Sequence, residues 1–265
     1  MPNLNTQILG SVPLVHPPII EQMSIAAVLQ ALDDKIAVNE RIADTYEELI
    51  KCRFIKIGLS DEPNDDAVTI TELIEFNPRL PKPSAAEPVY VDMAALQVNR
   101  SSIPSWTHRE PKSGPRFANG DTLMARITPC LENGKTGYVD FMDEGEIGLG
   151  STEFIVMRSR PGVPRHLSYF LARDDRFREH AIRNMVGSSG RQRVSASDAS
   201  NYFVNRQKST EMNAFGAEAE MAFAHMKSLS EESRTLATLR DTLLPQLVSG
   251  RIRVRDAERI VEDST

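Results

Sequence analysis

The chain has 265 residues, of which 40% are hydrophobic and 26% charged, with a formal net charge of −6. That length allows one large or two modest domains, and the composition is ordinary for a globular chain with a real core. No apolar run approaches the roughly 18 residues needed to span a bilayer. The first residues lack the basic and apolar regions of a signal peptide, and the acidic balance argues against a nonspecific polycation. The expected location is cytoplasmic, with no membrane partner. Cys52 and Cys130 stand alone, with no CxxC and no His at metal-ligand spacing, and read as buried free thiols.

Leu4 to His16 reads as a short strand, with Val12 and Leu14 alternating, ahead of Pro17-Pro18. This lead into a helix resembles the one through Tyr202-Phe203-Val204 near residue 209, so the N-terminus reads as the tail end of a preceding domain. A helix is then expected from about Ile19 to Lys51. Its Ile25, Leu29, Leu32, Ile36, Ala43, Tyr46 and Ile50 fall on alternating steps of three and four, the seam of a coiled coil. Proline suits the first turn, and Glu21 favours the positive end of the helix dipole. Asn39 is a polar seam residue, of a kind that fixes register at some cost in stability.

From about Val68 to Gln207 the signals are mostly strands and turns. Val89 to Val91 alternates as a strand. Asn119-Gly120-Asp121 reads as a hairpin-type turn leading into the apolar run Thr122 to Ile127. Glu132-Asn133-Gly134-Lys135 reads as a second such turn before Thr136 to Val139, and Phe154 to Met157 as a further strand. His166 to Asn184 has helical spacing, and 187–193 is a glycine-hinged basic loop. Basic residues dominate from Arg160 to Lys208, which puts a local basic face on an acidic protein.

A second helix is expected from about Glu211 to Leu244, with Phe215, Ala219, Ala222, Met226, Leu229, Leu236 and Leu243 on the same three-four steps. Ser209 reads as its N-cap. Ser233 and Arg240 interrupt its seam, and Pro245 breaks it. Gly250 then caps a short extra turn, and Arg251 to Val254 leaves as a strand-like tail. At 1.5 Å per residue each helix is roughly 50 Å long. Two such helices paired make a rod, which suits a spacer.

Arg126 and Lys135 flank the two turns, and Arg191 and Arg193 sit in the glycine loop. Arginine pairs bidentately with guanine or binds phosphate. Ser151, Thr152, Ser188 and Ser189 can donate to phosphates, or serve simple turn chemistry. Trp106, His108 and Arg109 suit either a groove-facing loop or a packed one. The competing class is a metal-dependent nuclease, for which Asp121, Glu132, Glu153 and Lys135 offer carboxylates and a lysine. The Gly134 turn separates Glu132 from Lys135, and no catalytic constellation stands out. Gly148-Leu149-Gly150 is too short for a dinucleotide or S-adenosylmethionine fingerprint. No metal site and no cofactor is expected.

Three stretches carry a family resemblance. Glu21-Gln22 with 25–29 and 32–36, and the run from Leu239 to Val254, resemble the two conserved spacer regions of type I restriction-modification specificity subunits. The middle, 120–135 with 150–154 and 190–194, resembles their target recognition domain. The resemblance implies an α+β chain: one mixed α/β recognition domain flanked by two long helices forming an antiparallel coiled coil. It divides the chain into a domain remnant at 1–18, a spacer helix at 19–58, a recognition domain at 59–208, a second helix and tail at 209–254, and a C-terminal tail at 255–265. It also implies a non-catalytic reader of double-stranded DNA whose helices dock methyltransferase (modification) subunits, with a restriction subunit joining through the complex. Family members carry two recognition domains, so this chain is expected to read half of a bipartite target. It would do so as a symmetric homodimer, with a second half-subunit, or as a fragment of a longer subunit. An assembly module that has lost DNA binding is the further alternative.

Overall fold

The computed structural model describes residues 17–110, 113–188 and 190–262. The strand expected over Leu4 to His16, residue Ser189 and the last residues of the tail lie outside them. In chain order the elements are α1 (Ile19–Lys56), β1 (Val68–Thr69), a 3-10 turn (Ile70–Glu72), β2 (Ile74–Phe76), β3 (Val89–Val91), β4 (Thr107–His108), β5 (Arg116–Phe117), β6 (Asp121–Ala125), β7 (Thr136–Tyr138), β8 (Gly148–Gly150), β9 (Phe154–Ser159), α2 (Leu167–Arg173), α3 (Asp175–Arg183), α4 (Ala196–Ser200), β10 (Phe203–Val204), α5 (Ser209–Val248) and α6 (Val254–Glu262). The chain is α+β, as expected. None of the helices among the described residues is long and apolar enough to cross a membrane.

Two compact units divide the chain: Met1–Ile42 with Ser228–Thr265, and Ala43–Lys227. The first is helical. Ile25 and Leu32 of α1 pack with Leu236, Leu243 and Leu247 of α5 and with Ala257 of α6. The three-four spacing produces this directly, since only residues on one stripe can meet the facing helix. Polar contacts fix the direction. Arg240 donates to Asp33 at 2.6 Å, Lys35 lies 3.3 Å from Glu232, and Asn39 donates to Glu232 at 2.7 Å and to Ser233 at 3.4 Å. Partner numbers fall on α5 as they rise on α1, so the helices are antiparallel. Each polar interruption of the seam therefore makes a cross-helix contact. Asn39 is 1% exposed and its Oδ1 has no hydrogen-bond partner. A half-satisfied buried amide costs stability, consistent with a role in register.

The C-terminal end differs from expectation. α5 runs through Pro245 to Val248. A proline removes one helical N–H bond, but Leu243 and Leu247 on either side of it are buried in the unit's core, and that burial holds the turn. Gly250, at φ +70°, then closes the helix. Its N–H donates to Leu247 O at 3.0 Å and that of Arg251 to Gln246 O at 2.9 Å, a Schellman motif. The strand expected over Arg251 to Val254 does not form: residues 251–253 are bend and coil, and Val254 opens the helix α6, whose Val254, Ala257 and Val261 recur at helical spacing and pack on the same core.

The second unit is built on a four-stranded antiparallel sheet of order β2-β9-β6-β7 and a four-stranded mixed sheet of order β4-β3-β8-β5. β6 and β9 are buried on both faces. Leu123 and Val156 point into one core with Val89, Val91 and Phe117, whereas Met124, Ile155 and Met157 point into another with Leu167, Phe170, Phe215 and Phe223. Their sequences therefore read as unbroken apolar runs. In β8, a Cβ on Gly148 would lie 2.5 Å from the Phe117 ring and one on Gly150 2.7 Å from Phe154, so Gly148-Leu149-Gly150 is a packing device. α1 and α5 close the unit on one side. Tyr46 meets His225, Arg53 lies 2.8 Å from Glu218 and Phe54 packs on Phe215, again antiparallel.

Further expectations shift here. Asn119-Gly120 does turn the chain, with Gly120 at φ +92°, but it joins β5 and β6, which lie in different sheets, so it makes no hairpin. The 126–135 connection does close a hairpin, between β6 and β7. The helical stretch at 166–184 is two helices, because Asp174 at ψ 131° leaves the helix and caps the next by accepting from Phe177 N at 3.0 Å. Ser209 is the first residue of α5 rather than its cap. Cys52 is exposed and Cys130 half-buried, since neither falls on a core-facing position.

Candidate nucleic-acid interface

The expected basic stretch is mostly neutralised in space. Arg165 pairs with Glu220 at 3.1 Å, Arg176 with Glu62, Arg178 with Asp175, Arg183 with Glu179 and Arg206 with Glu72. Arg160 donates to Thr71 O at 2.6 Å, and Arg173 to Val98 O. Of the basic side chains from Arg160 to Lys208, those of Arg191 and Lys208 have no partner among the described residues, and both are exposed. Glu62, Glu72 and Glu220 come from distant parts of the chain, whereas Asp175 and Glu179 lie one helical turn from their partners.

Three segments converge at one end of the β6–β9 ladder. Arg126 follows β6, Glu153 precedes β9, and the Arg126 N–H donates to Glu153 O at 3.0 Å. The loop 186–193 folds onto them. Thr128 N donates to Gln192 O at 3.1 Å, Gln192 N to Thr128 Oγ1 at 3.1 Å, and Val194 N to Arg126 O at 3.0 Å. Val186 and Arg193 exchange both backbone hydrogen bonds at 2.9 Å, closing the loop at its base. Gly187 at φ +136° and Gly190 at φ +78° supply the backbone that so tight a loop requires.

Arg193 and Glu153 form a bidentate pair. Nε donates to Oε2 at 2.8 Å and to Oε1 at 3.1 Å, and Nη2 to Oε1 at 2.7 Å, while Nη1 donates to Arg191 O at 3.2 Å. The Arg193 hydrogen bonds hold the Glu153 carboxyl below its ordinary range, with Arg126 adding to the effect. The same bonds raise Arg193. The Arg126 Nε is buried with no hydrogen-bond partner. Ser151 Oγ accepts from Glu153 N at 3.3 Å, Thr152 is exposed, and Ser188 O accepts from Arg191 N at 3.0 Å.

The structure therefore gathers Arg126, Ser151, Thr152, Ser188, Arg191 and Arg193 around one rim. Lys135 is tied elsewhere, its Nζ donating to Met93 O at 3.0 Å. Glu153 is the member that reading the sequence for DNA contacts missed. It stands 40 residues from Arg193, and no local signal marks the pair. Trp106 stacks on Phe141 with ring centroids 4.0 Å apart, and Arg109 lies over the Tyr90 ring, so that loop is packed.

The carboxylates of the nuclease alternative are dispersed. Asp121, at the other end of the ladder, is fully buried and takes both Arg158 Nε at 2.6 Å and Nη2 at 2.7 Å, as well as Ala118 N at 2.8 Å. Among the described residues no group of three or more His, Cys, Asp or Glu is placed to hold a metal ion.

The fold is thus α+β, with two long antiparallel helices and a sheet-built unit. No protein-family model matches the chain. It is 28% identical over 175 residues to the EcoAI type I restriction enzyme specificity subunit of Escherichia coli, covering 58% of this chain and 29% of that protein. It is 26% identical over 246 residues to the Escherichia coli EcoEI specificity subunit, covering 84% of this chain and 41% of that one. The chain thus spans less than half the length of either relative. In fold it is similar to the S subunit of a type I restriction-modification system from M. genitalium, with TM-score 0.53 at 14% identity, over 87% of this chain and 61% of the other. The chain is thus similar to type I restriction-modification specificity subunits over most of its length.

Proposed function

We propose that this chain is a non-catalytic, sequence-specific reader of duplex DNA within a type I restriction-modification complex, and that it reads one half of a bipartite target. The observation that carries this reading is the 84% of the chain that aligns with a protein named as a specificity subunit. The rim supports it, because the exposed Arg191 and the hydroxyls of Thr152 and Ser188 on one edge suit a phosphate backbone. Residues 59–208 form the recognition domain, and 19–58 with 209–254 are the spacer helices that dock methyltransferase subunits. A restriction subunit joins through that complex. Two copies, or this chain with a second half-subunit, supply the two readings that a bipartite site needs, and a two-fold pair would select an inverted repeat.

Selection from a random duplex pool, with the methyltransferase subunit present, tests the reading. One enriched motif is expected, in inverted copies if the chain pairs with itself. Recovery of no motif would contradict DNA reading. Light scattering that gave 29.5 kDa at all concentrations, with DNA and methyltransferase present, would contradict self-pairing.

A further inference from the structure

Arg193 looks in sequence like the residue that reaches DNA, but three of its guanidinium nitrogens already donate to protein oxygens. Glu153 leaves a quarter of its side chain open to solvent. Its Oε1 already accepts from Nε and Nη2 of Arg193, whereas Oε2 accepts from Nε alone and has room for one more hydrogen bond. The carboxylate is ionised and its charge is compensated by Arg193 and Arg126, so it can approach a polyanion at reduced electrostatic cost. Exposed Thr152 and the unpaired Arg191 flank it. An acceptor-only group held in this way is matched by the exocyclic amino groups that cytosine N4 and adenine N6 present in the major groove.

We infer that Glu153 is the specificity-determining residue of this rim, accepting from an exocyclic amino group of the target, and that Arg193 is its positioning residue. The inference rests on the DNA-reading proposal above. Arg191 then supplies phosphate affinity, and Glu153 supplies discrimination at one base position.

The test repeats the duplex selection on wild type, Glu153→Gln, Glu153→Ala and Arg193→Ala, with thermal unfolding measured on each. Glutamine offers a donor as well as an acceptor and pairs bidentately with adenine. Glu153→Gln is therefore expected to move the preference at a single position toward adenine, or to sharpen an adenine already there, with the remaining motif intact. Glu153→Ala is expected to erase discrimination at that position by at least tenfold while nonspecific affinity stays level or rises. Arg193→Ala is expected to blur the same position without lowering the slope of affinity against salt, because it removes no phosphate contact. A wild-type motif left unchanged in both Glu153 variants overturns the inference and leaves DNA reading standing. So does a salt slope that falls by about one in Arg193→Ala, which would make Arg193 the phosphate contact. Failure of wild type to enrich any motif sinks the underlying reading instead. If Glu153→Ala unfolds, the isosteric Glu153→Gln decides the matter alone.

Discussion

The two ends of the β6–β9 ladder carry the same chemistry in opposite settings. At one end Asp121, fully buried, grips Arg158 bidentately and also accepts from Ala118 N. At the other, Glu153 grips Arg193 with the same geometry but on the rim, among Arg126, Thr152 and Arg191. Burial pushes the Asp121 carboxyl up against the pull of Arg158, whereas Glu153 is held down by Arg193 with little burial to oppose it. The Asp121 carboxylate is fully enclosed, with Arg158 29% exposed beside it. Its counterpart is open, has spare acceptor capacity and lies beside an unpaired cation. Two carboxylate–arginine forks of the same geometry thus differ chiefly in the depth of the carboxylate.

The largest expected effect lies at the buried end. Asp121→Ala leaves the partly exposed Arg158 guanidinium and the Ala118 N–H without their acceptor, at a cost of about 2–3 kcal/mol. Urea unfolding should show that loss, whereas Glu153→Ala should cost less than about 1 kcal/mol, as exposed pairs do. Equal losses would erase the distinction between the two ends.

Near the buried end the His166 ring packs on Tyr138 and Phe223, at 4.8 and 4.3 Å between ring centroids. Burial, helped by Arg165, drives the His166 pKa down from 6.5 to about 3. The fold therefore holds the neutral ring, whereas the unfolded chain takes up a proton near 6.5. Its contribution is complete above pH 6.5 and is lost as the pH falls, at about 1.4 kcal/mol per unit. Stability should drop by about 2 kcal/mol between pH 6.5 and 5, and His166→Phe should flatten that slope. A wild-type slope that survives in His166→Phe would assign the dependence to other groups.

The smallest effect belongs to the open end. Arg191→Ala should weaken duplex binding roughly tenfold, about 1.4 kcal/mol, and lower the salt slope by about one, with thermal unfolding unchanged. Unaltered affinity would return the loop to a solvated turn.

These contrasts were unevenly legible in the sequence. The seam residues could be read directly because helix burial recurs every three or four residues, and Ile25, Leu32, Ile50, Phe215, Ala219, Leu236 and Leu243 are all buried. Phe54 and Phe223 were missed, since in the second unit α1 and α5 pack against α2 as well as each other, which widens their apolar faces beyond a two-helix seam. Asn119-Gly120 signals a turn but not which sheet the next strand enters, a choice made by distant partners. The charge run from Arg160 to Lys208 was plain, but its neutralisation by Glu62, Glu72, Glu153 and Glu220 depends on the fold. So does the Arg193–Glu153 pair.

Hydrogen exchange on the chain, with and without its selected duplex and with methyltransferase present in both samples, decides whether the rim meets DNA. The duplex is expected to protect amides of 126–128, 151–153 and 186–193, while Ala118 to Asp121 at the buried end exchange at the same rate in both samples. Protection absent from all three rim segments, with the duplex demonstrably bound, would contradict that contact.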